Sequence, residues 1–69
     1  MKRLNVGIKP PTPTQIKEAR ANAGHTQTVA AKTIHFAIRS WQQWEEGSRV
    51  MHPSAWELYL IKTDQMDLL

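Results

Sequence analysis

The chain contains no cysteine, so no disulfide can brace it and no thiolate can hold a metal. Its three histidines, His25, His35 and His52, are 10 and 17 residues apart, without the close spacing of a zinc site. No metal and no other cofactor is expected. No apolar run approaches the roughly 18 residues that span a membrane. The basic start, MKRLNVGIK, is not followed by the apolar segment and small-residue cleavage site of a secretory signal. A cytoplasmic location is the expectation, with no membrane partner. The sequence also lacks a nucleophile–base set, a glycine-rich phosphate loop and carboxylates at metal-binding spacing. Neither an enzyme nor a small-molecule binder is expected.

What is present is small and mildly basic. The 69 residues make one domain. A chain of this size buries only about 60% of its unfolded surface, so its stability is modest. Without disulfides or metal, dimerisation is the remaining common reinforcement. The net charge of +3 and pI near 9.7 suit a polyanionic partner, though they also serve ordinary solubility.

Residues 1–11 read as an N-terminal arm. Lys2, Arg3 and Lys9 are cationic, Pro10-Pro11 forbids helix, and Leu4, Val6 and Ile8 alternate as in a strand. The arm either pairs with the same arm of a second subunit, or stays mobile with its cations on phosphates or in a minor groove, or is a disordered tail without function. Residues 12–69 form the helical body. A first helix starts at Thr12-Pro13, with Gln15 completing a capping box, turns Ile16, Ala19 and Ala23 inward, and stops at Gly24. Thr26 caps a second helix from Gln27 to about Thr33, with Val29, Ala30, Ala31 and Ile34 as its apolar side. His35 sits where the chain must turn, a place glycine suits better if φ is positive. A third helix runs from about Ala37 to Glu46 and ends at Gly47. Phe36, Trp41 and Trp44 are its expected buried set. A fourth helix opens at Pro53 or Ser54 and reaches about Thr63. Its apolar residues read as two rows, Ala55, Leu58 and Ile61 in one, and Trp56, Tyr59 and Leu60 in the other. One core needs one row, so the second is expected to be a dimer interface anchored by Trp56. The closing QMDLL joins that interface or frays.

The stretch from Gln27 to Gly47 carries the functional signal. Two short helices flank a tight turn, and the second exposes Arg39, Ser40, Gln42 and Gln43. An arginine fork matches guanine O6 and N7, and glutamine matches adenine N6 and N7; a bidentate pair discriminates by about 1–3 kcal/mol. Gln42 and Gln43 diverge by roughly 100°, so one reads a base and the other reaches a phosphate. Ile38 either packs on a thymine methyl or is a partly buried flank. Thr26, Gln27 and Thr28, at a helix N-terminus, suit a phosphate, and Lys32, Ser40 and Arg49 are further backbone candidates. Glu45 and Glu46 would repel DNA and are expected to point away from it, in structural pairs.

Gly24-His25-Thr26-Gln27, followed at the right interval by Trp44-Glu45-Glu46-Gly47, resembles the Cro/cI (lambda-repressor-like) helix-turn-helix family. Thr12-Pro13 opening the first helix is similar too. The resemblance covers residues 12 to about 63. It implies an all-α bundle of four to five short helices, and a homodimer that reads a palindromic operator in double-stranded DNA. It assigns Gln27 to a phosphate contact that also buttresses the reading helix, and Ala31 to the crossing of helices 2 and 3. It assigns Trp41 and Trp44 to the core, and Ile38, Arg39, Gln42 and Gln43 to the exposed face of the recognition helix. The sequence departs from the family at His35, where glycine is usual, and at Ala37, where serine or threonine usually caps. The loop from Gly47 to Pro53 is about two residues longer than usual. Its short length and the Trp-Glu-Leu-Tyr-Leu segment are similar to small phage and mobile-element regulators, anti-CRISPR-associated autorepressors among them. The competing reading is an antitoxin-like module whose main partner is another protein, bound through Trp56, Tyr59 and Leu60.

Overall fold

The computed structural model describes residues 9–68. The expectations for Lys2, Arg3 and the alternating Leu4, Val6 and Ile8 lie outside the described residues. Four α-helices form the bundle: α1 (Pro13–Ala23), α2 (Gln27–Thr33), α3 (Ile38–Glu46) and α4 (Pro53–Lys62). A 3₁₀ turn, Met66–Leu68, follows. The architecture is all-α, with no strand among the described residues. No helix among them is long and apolar enough to cross a membrane. Pro11, next to the start of α1, is buried.

The helix starts follow residue type. Thr12 Oγ1 accepts from the Gln15 backbone N–H at 3.2 Å, and Gln15 Oε1 accepts from the Thr12 N–H at 2.9 Å, completing the capping box. Thr26 Oγ1 likewise accepts from the Val29 N–H at 3.2 Å. His52 caps α4, its Nδ1 accepting from the Ser54 N–H at 3.0 Å, with Pro53 in the first turn. Ala37 begins α3 with no side-chain cap.

The helix ends share one device. Past each end stands a left-handed residue: Gly24 (φ 71°), His35 (67°), Gly47 (85°) and Asp64 (59°). The residue after it donates back to a carbonyl in the last turn: His25 to Arg20, Phe36 to Ala31, Ser48 to Gln43, and Gln65 to Leu60. Those bonds satisfy carbonyls the helix leaves open. Two of the four turns carry a Cβ in a region that L-residues disfavour.

The core gathers Ile16 and Ala19 from α1, Ala30, Ala31 and Ile34 from α2 and its end, and Trp41 and Trp44 from α3. Met51 joins from the loop, and Ala55, Trp56, Tyr59 and Leu60 from α4. Trp41 is at the centre, with ring centroids 5.6 Å from Trp44 and 4.8 Å from Tyr59. Small Ala30 and Ala31 leave room for that indole-rich α3.

Four expectations need correction. Trp56, Tyr59 and Leu60 were expected at an interface but lie in the core of the chain itself, at 4%, 0% and 0% exposure. Ala55, Trp56, Tyr59 and Leu60 span an arc of only about 140° and form one broad face. The row Ala55, Leu58, Ile61 drifts about 60° per step, so Ile61 emerges to solvent, half exposed. Val29 is exposed rather than part of α2's inner side, because it sits about 150° from the middle of the face made by Ala30, Ala31 and Ile34. Phe36 is also exposed, but one edge packs on Trp44 at 5.1 Å between centroids. The tail docks rather than frays at its start: buried Gln65 donates through Nε2 to the Ala19 carbonyl at 3.0 Å and to Thr63 Oγ1 at 2.8 Å.

Candidate nucleic-acid interface

The outer face of α3 follows from its inner one. Trp41, Trp44 and Glu45 are buried, and the direction opposite their mean holds Arg39, Gln43 and Glu46, with Gln42 beside them. Arg39 and Glu46 are exposed, and Gln42 and Gln43 half-buried. Ile38 flanks this face at 40% exposure, and Ser40 lies half-buried on the other flank. The predicted base-reading set, Ile38, Arg39, Gln42 and Gln43, therefore shares one helix surface.

That surface is held by one buried carboxylate. Glu45 accepts from four N–H groups: Arg20 Nε at 2.6 Å, Arg20 Nη2 at 3.1 Å, Gln27 Nε2 at 3.0 Å and Trp41 Nε1 at 2.6 Å. These donors come from α1, α2 and α3, so a single side chain ties α3 to the two helices before it. Burial alone would raise the Glu45 carboxyl. The donors on Arg20, Trp41 and Gln27 outweigh it and hold the group below the usual carboxylate range. Arg20 is raised in turn, chiefly by its hydrogen bond to Glu45. Its Nη1 donates on to the His25 carbonyl at 3.2 Å. His25 Nδ1 lies 2.9 Å from Tyr59 Oη, and burial pushes the Tyr59 phenol up to about 12. The chain of contacts thus runs from α3 through α1 to α4.

Gln27 is tied to α3 through one amide N–H, which it donates to Glu45. Thr26 Oγ1 is engaged in capping. Thr28, Lys32 and Arg49 are exposed. The pairing of Glu45 agrees with the sequence reading, but its partners were not named there; Gln27 and Arg20 arrive from 18 and 25 residues away, while Trp41 is four residues back on the same helix. Glu46 is also paired, and its partner was not named either: its Oε2 lies 3.9 Å from Arg39 Nη1, with both side chains exposed. Helical spacing carried that signal, because positions seven apart share a face.

No family model matches the chain, and no curated protein matches it.

Proposed function

We propose that this protein is a sequence-specific DNA-binding transcription regulator of the Cro/cI type. In this reading it acts in the cytoplasm as a homodimeric repressor on an inverted repeat in its own promoter. One observation carries the reading. A short helix, α3, is fixed on its inner side by Trp41, Trp44 and the Glu45 hydrogen bonds, and turns Arg39, Gln42 and Gln43 outward. Rigid placement of fork-shaped and amide side chains is what reading base edges requires. At nine residues α3 is about 13 Å long, close to the roughly 12 Å width of a major groove. Thr28, Lys32, Ser40 and Arg49 supply the phosphate contacts, with Gln27 through its second amide N–H and Thr26 at the head of α2.

A two-fold pair would set two α3 helices about 34 Å apart, in successive grooves. With Trp56, Tyr59 and Leu60 in the core, the large apolar side chains exposed among the described residues are Val29, Phe36, Ile38, Val50, Ile61, Met66 and Leu68, and in this reading a second copy covers the C-terminal three, Ile61, Met66 and Leu68. The same burial weakens the antitoxin-like reading, which relied on those three residues for its partner. A reporter fused to the native upstream region tests the proposal: the protein represses it, and Arg39→Ala relieves repression. Equal expression with and without the protein sinks it.

A further inference from the structure

The reading face of α3 contains an anion, and DNA is a polyanion. Glu46 is seven residues after Arg39, so the two stand about 20° apart around the helix. Helical Cβ atoms tilt toward the N-terminus, which leans Glu46 back along the stripe toward Arg39. Their tips meet at 3.9 Å, close to the roughly 3.4 Å rise between neighbouring bases. The second carboxylate oxygen, Oε1, is 3.4 Å from Ser48 Oγ. Both oxygens are therefore oriented, in a side chain that is 54% exposed.

We propose that Glu46 is a base-reading residue: it accepts a hydrogen bond from a cytosine N4 amine on the base step next to the guanine taken by Arg39. This rests on the DNA-binding reading above. An ion pair acting only as a brake on Arg39 would have to be broken for Arg39 to engage, in specific and non-specific complexes alike, and would add no specificity. Specificity follows if the pair stays formed and each member also meets a base. A carboxylate offers only acceptors. It gains from cytosine N4, and it is repelled by guanine O6 and N7 and by thymine O4. The neighbouring guanidinium offers only donors and takes guanine. The two tips, one base step apart, read opposite kinds of edge. Away from a matching site, Glu46 faces phosphates and weakens binding there.

The test is selection from a pool of duplexes with a randomised centre, using the wild-type protein and then Glu46→Gln and Arg39→Ala. Glutamine has a donor as well as an acceptor, so it tolerates the bases that glutamate rejects. We expect Glu46→Gln to lose roughly 5- to 30-fold of discrimination at one cytosine, with the rest of the selected sequence unchanged. Its affinity for unselected duplex should rise about two- to five-fold. Arg39→Ala should lose the guanine beside that cytosine. Because Glu46 is exposed and caps nothing, the thermal midpoint of Glu46→Gln should stay within about 3 °C of wild type. If wild type selects a sequence and Glu46→Gln selects it with undiminished discrimination, the inference is overturned while DNA reading stands. Loss at an adenine instead overturns the cytosine assignment. If wild type selects no sequence at all, both fall.

Discussion

Glu45→Ala should be the most damaging single truncation of a carboxylate side chain in this fold. It removes the acceptor shared by Arg20, Gln27 and Trp41. The Trp41 indole N–H is buried, and it would be left without a partner. Truncating one member of a buried ion pair costs roughly 3–5 kcal/mol. Arg20 is about a quarter exposed and water can reach part of it, so the low end applies, about 3 kcal/mol. Domains of 69 residues have about 3–10 kcal/mol in total. At roughly 4–8 °C per kcal/mol, the midpoint should fall by about 12–24 °C in a circular-dichroism melt. Glu45→Gln keeps the shape but loses the charge, and should fall by about two-thirds as much. The difference between wild type and Glu45→Gln depends on pH with a definite sign. The folded carboxyl is held below its ordinary 4.5. Its stabilisation is therefore full above about pH 4.5 and fades as pH drops through the lower folded value. A loss under about 1 kcal/mol for Glu45→Ala at neutral pH would refute the view that this carboxylate organises α3.

The two weak points of the α2–α3 turn should be improvable. His35→Gly relieves a left-handed φ of 67° and should raise the midpoint by about 2–6 °C; Ala37→Ser supplies the missing cap of α3 and should add about 0.5–1.5 kcal/mol in urea titration. Unchanged or lower stability in both would show that the turn is not strained. Tyr59 should make the fold sensitive to alkali. Its phenol rises from 10.0 to about 12 on folding, so the folded state holds that proton tighter. The contribution is full below pH 10 and is lost between pH 10 and about 12, amounting to roughly 2–3 kcal/mol. Comparing the alkaline unfolding of wild type with Tyr59→Phe checks this, and identical profiles would contradict it.

Much of the fold was legible because helix boundaries are written in local chemistry. Thr12-Pro13, Thr26, Gly24 and Gly47 each satisfy or free a backbone group within a few residues of themselves. His35 and Ala37 were legible as departures for the same reason. The outer face of α3 followed from its two indoles, since fixing the inner side of a helix fixes the outer. What could not be read locally came from afar. Two of Glu45's three partners, Gln27 and Arg20, are 18 and 25 residues earlier, and nothing beside Glu45 announces them. Sorting α4 into rows three residues apart assigned Trp56, Tyr59 and Leu60 to a surface of their own. A 3.6-residue period puts them in the core and leaves Ile61 outside. Glu46 was set aside for its charge, although its spacing from Arg39 placed it on the same face.

Reading of double-stranded DNA by α3 is tested most directly by equilibrium binding of the purified protein to duplex from its own upstream region and to random duplex, between 50 and about 200 mM salt. Affinity should fall with salt by a slope of about −0.9 per phosphate neutralised, and the upstream duplex should be preferred by roughly 10³-fold or more. Arg39→Ala should remove about 5- to 150-fold of that preference without lowering the thermal midpoint. Equal affinity for both duplexes at every salt concentration, or a preference that survives Arg39→Ala intact, would contradict it.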